Sequence, residues 1–429
     1  MSLLPSPTDG YDAEMPKLRI LYHHRTQGRG AEGNHIVSIV TAMRAAGHEV
    51  DVLSPAGVDP FDHRATIPVD EARTGRKGWS SVWRVASLYL PGAFFEIAEI
   101  LYNIPAYIRL RRALRARAYD VLFERYAFYL MAGAFAARRS GCLFALEVNE
   151  VSGVADRVRK QHFPRMCTAL ERRIFACCDV GHAVSSYLGA RIAELGLPPS
   201  CIVVAPNGFD VTRISITETR EAMRARFNFQ DCVVVGFAGW FVPWDRLDFL
   251  SEVFADAHRA FPSLRLCLVG EGEVARELVA RLRGTPLADL VVLTGAIPRA
   301  RVYDYVQMFD IGILPHSNLF GSPVVMFEMM GLKVPVIAPR LPPIEDVLVN
   351  GETALLFAPL DKDECTRQLL QLARSPDKRA AQAAAAFQKL NNEHTWIHTA
   401  RKILAALPAG SSGNTEGWRD PRRGTEPAS

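Results

Sequence analysis

Residues 320–351, FGSPVVMFEMMGLKVPVIAPRLPPIEDVLVNG, hold the groups best suited to chemistry. A loop with Ser322 leads to Pro323 and a short helix bearing a single acid, Glu328; a strand, VPVIAP, and a Pro-rich loop ending in Glu345 follow. Proline suits the first turn of a helix, where its missing N–H is no loss. The amides of Val324 and Val325 would then point out of the helix N-terminus, a ready site for a phosphate-bearing ligand. Glu328 lies about 1.5 turns further along, where a carboxylate can accept hydrogen bonds from sugar hydroxyls. The plainer alternative is a buried helix with one solvated acid.

A second group stands near the N-terminus. Gly28, Gly30 and Gly33 spell G-x-G-x-x-G, and Asp51 lies 18 residues beyond Gly33. That combination is the dinucleotide-binding fingerprint, which would imply NAD. The fingerprint places its first glycine at the strand end, however, whereas HHRTQ here separates KLRILY from Gly28. The stretch reads better as a glycine loop that lets backbone approach a phosphate or a sugar.

The elements around these groups follow one pattern. KLRILY, a helix over 34–46 stopped by Gly47, and HEVDVLS make a βαβ unit, hence a parallel sheet covered on both faces. YDVLFE and LFALEV are further strands, and their C-terminal ends carry Glu124, Arg125 and Tyr126, then Glu147, Asn149 and Glu150. In open α/β sheets the ligand crevice lies outside those ends, which makes these side chains candidates by position. His182, inside CDVGHAVSS, reads as a core histidine.

Strand–helix alternation restarts at CVVVGFAGW. The expected fold class is α/β, with two Rossmann-like, doubly wound domains facing across a cleft. The expected bounds are a flexible tail over 1–16, a first domain over 17–210 and a linker over 211–230. A second domain over 231–393, a helix over 394–407 returning to the first domain and a Gly/Ser/Pro-rich disordered tail over 408–429 complete the chain.

Composition narrows the function. At 429 residues two domains are the default, and 49% hydrophobic with 22% charged residues is globular. A net charge of +4, with no basic-aromatic strip, argues against nucleic acid. The eight cysteines form no Cys-x-x-Cys pair and read as reduced core residues of a cytosolic protein, without structural zinc. No signal peptide is indicated at the N-terminus, and residues 85–110, apolar but broken by Pro91, Glu96, Glu99 and Pro105, fail as a membrane span. Residues 79–118 read as amphipathic and helical, ending in Arg109, Arg111, Arg112, Arg115 and Arg117. They make either a solvated face or a place where the chain rests on an anionic membrane.

In order and spacing, GRGAEGNH, the Pro206-Asn207-Gly208 turn with Asp210, VGFAGW, LVGEGE, TGAIPRARVYDYVQMFDIGILP and SPVVMFEMMGLKVPVIAP resemble the retaining glycosyltransferases of family 4, over roughly 17–405. The resemblance implies the GT-B architecture and transfer of a sugar from a nucleotide-sugar donor to a hydroxyl with retention. It also implies that no metal or other cofactor is required. The implied acceptor is a glycan or lipid-linked molecule in polysaccharide or glycolipid assembly, and the location is cytoplasmic, at the inner face of the cell membrane if the basic stretch engages lipid.

Carried onto this chain, Glu328 matches the second glutamate of the family's pair and binds the donor ribose. Ser322, Pro323, Val324 and Val325 face the donor, and Gly28 and Gly30 let the first domain close on it. Gly270 and Gly272 lie near the ribose, Gly295 near the base, and Asn149 on the acceptor side. There are departures too. The first glutamate falls on Phe320, and the two diphosphate cations fall on Trp240 and Asp245. Arg246 is the expected substitute, with Lys333 as a more distant one, and an unpaired Asp245 would repel a diphosphate by on the order of 1 kcal/mol. Two other classes stay open: a catalytically weakened binding or partner subunit, as the missing cations suggest, and a sugar-nucleotide epimerase or NAD-dependent enzyme on the same architecture.

Overall fold

The computed structural model describes residues 16–28, 30–61, 92–154, 161–272 and 274–408. Its strands form two sheets. In the first, β1 (Arg19–His23), β2 (Glu49–Leu53), β3 (Val121–Arg125), β4 (Leu143–Val148), β5 (Val180–Ala183) and β6 (Ile202–Val204) run in the order β2-β1-β3-β4-β5-β6. The second holds β7 (Val233–Ala238), β8 (Leu264–Val269), β9 (Val291–Leu293), β10 (Ile311–Ile313), β11 (Val336–Pro339) and β12 (Ala354–Phe357) in the order β12-β11-β10-β7-β8-β9.

Every pairing is parallel, with Ile20 opposite Val50 on one side and Val121 on the other. Parallel strands need helical crossovers that cover both faces, so the strands are mostly apolar, with their polar residues gathered largely at the strand ends. VLFER of β3 is buried along its whole length. Apolar clusters accordingly lie on both faces of each sheet.

The helix Gly30–Ala45 begins four residues earlier than its apolar spacing suggests. Gly33 falls in its first turn, where an added Cβ would stand 2.2 Å from the Gly28 carbonyl oxygen. Glycine is what lets the turn close onto the loop before it.

Residues 211–230, the expected linker, pack onto the second sheet. Thr219 caps the helix Arg220–Arg226, and Arg224 is buried, reaching Asp310 at 2.8 Å and the Met308 and Phe229 carbonyls. The chain returns to the first sheet through the helix Trp396–Ala405, whose Trp396, Ala400, Ile403 and Leu404 pack with Ile20, Ile36 and Val40. The two crossings between halves run side by side. Phe209 N–H donates to the His394 carbonyl at 2.9 Å, and a Cβ on Gly208 would stand 2.5 Å from the Trp396 nitrogen.

Candidate active site

The first wall of the cleft is built on the C-terminal ends of β1, β3 and β4. At its centre is Glu147, fully buried. It accepts from Tyr22 OH at 2.6 Å, from Asn149 Nδ2 at 2.7 Å and from Arg125, with His35 Nε2 3.0 Å away. Burial alone would raise the Glu147 carboxyl, but the Arg125 charge, aided by His35, holds it well below the usual range. Beside it, burial lowers His182 to about 4. His182 is thus a neutral core histidine whose Nε2 meets the Ala205 carbonyl at 2.7 Å. Asn149, half-buried, is held at the rim of this network.

Gly28 and Gly30 both have left-handed backbone, φ +65° and +61°. A Cβ on Gly28 would meet Val58 at 2.9 Å, whereas Gly30 faces open space. Asp51, which a dinucleotide would need, is occupied elsewhere: it accepts from Tyr119 OH at 2.7 Å and Arg117 Nη1 at 2.9 Å.

The second wall carries Glu328 on the helix Val324–Gly331. Pro323 precedes the helix as its cap residue instead of opening its first turn, and the amides of Val324 and Val325 have no hydrogen-bond partner among the described residues. Glu328 is only 3% exposed. One oxygen, Oε1, takes the Arg299 guanidinium, which also lies over the Tyr303 ring at 5.1 Å and donates to its hydroxyl at 3.0 Å. Oε2 takes no hydrogen bond from the described residues. Glu328 is therefore not the solvated acid of the plainer reading. It is a buried carboxylate with one oxygen held and the other available.

The remaining expected donor residues divide. Gly270 has φ +135°, and its Cβ would lie 1.9 Å from the Gly239 carbonyl oxygen; a Cβ on Gly272 would lie 2.1 Å from that of Phe241. These two glycines join the loops that follow β7 and β8. Gly295, at φ +71°, faces open space. Ser322 is buried against the other half: its Oγ accepts from Asn207 N–H at 3.1 Å and its carbonyl from Asn207 Nδ2 at 2.9 Å. It pins the crossover.

The expected substitute cations are engaged. Arg246 forks onto Asp248 at 2.8–3.2 Å, and Lys333 rests over the Phe387 ring at 4.6 Å. Asp245 does not project toward a diphosphate; it is buried and accepts from Val242 N–H at 3.0 Å, and burial pushes its carboxyl up to about 7. Trp240, 68% exposed, is the side chain presented to solvent there. Phe320 packs against the first half's apolar cluster, and its carbonyl accepts from Ser185 Oγ at 2.8 Å.

Residues 32–213 match the family description Glycosyltransferase Family 4, and residues 232–375 match Glycosyl transferases group 1. The chain belongs to glycosyltransferase family 4. A curated relative, the GDP-mannose-dependent alpha-(1-6)-phosphatidylinositol monomannoside mannosyltransferase of Mycolicibacterium smegmatis, is 28% identical over 85% of this chain and 91% of its own. The glycogen synthase of Mycobacterium tuberculosis is 26% identical over 88% and 91%. Among solved structures, HepE of Anabaena in complex with UDP superposes with a TM-score of 0.66 at 16% identity, over 91% of this chain and 99% of that one. The fold is GT-B, with two Rossmann-like halves facing across a cleft. Membership makes glycosyl transfer from a nucleotide sugar the general chemistry of this family 4 chain.

Arg299, His35 and Tyr22, which hold Glu328 and Glu147 in this candidate site, were not singled out by the sequence reading. Arg299 lies inside the TGAIPRARVYDYV run, four residues after Gly295, but nothing in that spacing separates it from Arg301, which pairs with Asp304 and Glu218 instead. Tyr22 reads as one more apolar strand residue.

Proposed function

We propose that this family 4 member is a retaining glycosyltransferase, moving a sugar from a nucleotide-sugar donor to a hydroxyl of a polysaccharide or glycolipid acceptor. The observation that carries this reading is Glu328: buried, with Oε1 held by Arg299 and Oε2 left to accept from a donor ribose. The unpaired amides of Val324 and Val325 and the helix dipole meet the negative charge that develops on the departing nucleoside diphosphate. Gly30 and Gly295 leave room for backbone to approach the donor from the two walls, and Asn149 at the rim of the Glu147 network serves the acceptor side.

The reading includes peripheral attachment to an anionic membrane. Phe94, Ile97, Leu101, Ile104 and Ile108, all 43–62% exposed, recur at three- and four-residue steps along Gly92–Leu101 and Asn103–Ala116. Arg111, Arg112 and Arg115 have no ion-pair partner among the described residues, while Arg117 is taken up by Glu49 and Asp51. Apolar side chains beside free cations suit an interface between acyl chains and anionic headgroups. No helix among the described residues is long and apolar enough to cross a membrane.

The test is incubation with UDP-, GDP- and ADP-sugars, reading released nucleoside diphosphate and the anomeric configuration of the product by NMR. Failure to bind or release any nucleoside diphosphate overturns the reading, and an inverted product overturns retention. The engaged state of Arg246 and Lys333 favours one second reading, a binding or partner subunit, which predicts nucleotide binding without turnover.

A further inference from the structure

Beyond the C-terminal ends of β1 and β2, adjoining the Glu147 network through His24, lies another polar cluster. Arg25 follows His23 and His24 out of β1, Ser54 follows β2, Tyr102 stands between the helices Gly92–Leu101 and Asn103–Ala116, and Arg109 projects from the latter. Arg25 Nη2 donates to Glu99 Oε1 at 2.7 Å, Arg109 donates to the Ser54 carbonyl, and His24 Nε2 meets Ser54 Oγ at 2.8 Å.

Among the described residues, Arg25 Nη1 is buried without an acceptor, and the Tyr102 hydroxyl, within reach of the Arg109 guanidinium, is buried with no acceptor for its own proton. The charges of Arg109 and Arg25 both bear on the Tyr102 phenol, as does that of Glu124, so these groups share one neighbourhood. The acids are already matched, Glu99 with Arg25 and Glu124 with His23 at 2.5 Å. That leaves Arg109, held by the Ser54 carbonyl, without an acidic partner among the described residues. A buried guanidinium N–H without an acceptor is unfavourable, and a cation beside two unmet donors calls for an oxyanion.

We infer that Arg25, Tyr102 and Arg109 form a subsite for the phosphate of a phosphate-bearing acceptor. The inference rests on the reading of the first half as the acceptor side. The subsite's position adds to the chemistry. It lies at the strand ends that face the cleft, and the two helices that flank Tyr102, the second of which bears Arg109, also carry the exposed stripe Leu101, Ile104 and Ile108. A phosphate held there stands between the place of sugar transfer and an apolar surface, the order of parts in a lipid-linked phosphate. A soluble phosphate ester presents the same oxyanion.

The experiment titrates the full-length chain with glycerol 3-phosphate by calorimetry. In parallel, flotation compares phosphatidylglycerol–phosphatidylcholine vesicles with pure phosphatidylcholine, both at 0.15 M salt. UDP and GDP binding are measured on the same samples. Arg25→Lys keeps a cation for Glu99 but removes the free N–H, and Tyr102→Phe removes only the hydroxyl. Thermal melting confirms that each variant is folded.

Binding of glycerol 3-phosphate, or of the phosphatidylglycerol vesicles over phosphatidylcholine, is expected, weakened about tenfold by either substitution, the scale of one charge-assisted hydrogen bond. Nucleotide affinity should change less than about twofold, below 0.5 kcal/mol. Response to vesicles alone identifies a lipid acceptor, and response to glycerol 3-phosphate a soluble one. The inference is overturned if the wild type binds neither probe, or if both variants bind as the wild type does, which would assign the two unmet atoms to water. Loss of nucleotide binding in the wild type would instead count against the glycosyltransferase reading, so the two failures are separable.

Discussion

Removing the Glu328 carboxylate tests the donor site most directly. Glu328→Ala deletes the free Oε2 and with it any hydrogen bond to a ribose hydroxyl. A hydrogen bond to a charged group contributes about 1.5–3 kcal/mol, so nucleoside diphosphate affinity should fall about 10- to 100-fold. Arg299 acts differently, because its guanidinium holds Oε1 while its side chain is 49% exposed. Solvent screening puts that pair near the lower end of ion-pair strengths, and Arg299→Ala alone should weaken binding only about fivefold, roughly 1 kcal/mol. If Arg299 works by positioning Glu328, the double variant should bind no worse than Glu328→Ala, a coupling of about 1 kcal/mol. Calorimetric titration with UDP, GDP and ADP measures all four affinities of the cycle. The reasoning is refuted if Glu328→Ala stays within twofold of wild type for every nucleotide, or if the two substitutions add.

Three further outcomes are expected. Phe320→Glu places an acid where the family resemblance expects one but sets it against the first half's apolar cluster, so it should lower unfolding free energy by about 1–2 kcal/mol in denaturant titration without improving nucleotide affinity. Gly270→Ala should destabilise by more than Gly295→Ala, because both have positive φ but only Gly270 has a carbonyl oxygen 1.9 Å from the added Cβ; thermal melts of the two variants compare them. Asp245, raised to about 7 by burial, binds a proton in the folded chain over a range where the unfolded chain has released it. Its contribution is therefore fully present below about pH 4 and lost as pH rises through about 7. Asp245→Asn, measured by denaturant titration at pH 5, 6, 7 and 8, should show a flatter stability profile than wild type across that window.

Much of the fold was legible because it rests on local patterns. Apolar runs of strand length alternating with helix-spaced segments specify a parallel α/β sheet wherever they recur, and they recur twice. The glycines too were visible as places of special backbone, yet their jobs were not. Gly270 and Gly272 looked like Gly30 and Gly295 in the sequence. Only the packing of the loops after β7 and β8 shows that the first two are filled by neighbouring carbonyls and the others face open space.

The same division holds in the site. The chain itself placed a lone acid at Glu328, on a helix behind a Pro-containing turn, and that local arrangement survives folding. Its partner Arg299 stands 29 residues away, and Ser185 finds the Phe320 carbonyl across 135 residues. No periodicity encodes such pairings, because they depend on how the two sheets are brought together. Residue type alone made Asp245 a threat to a diphosphate and Arg246 a remedy. Burial and the geometry of a single turn decided otherwise: the first is turned inward onto Val242, three residues back, and the second is held by Asp248, two residues on. The sequence by itself thus determined the two sheets and the position of the acid, through local spacing. Which groups are free to meet a ligand was decided by burial and by contacts between residues far apart in the chain.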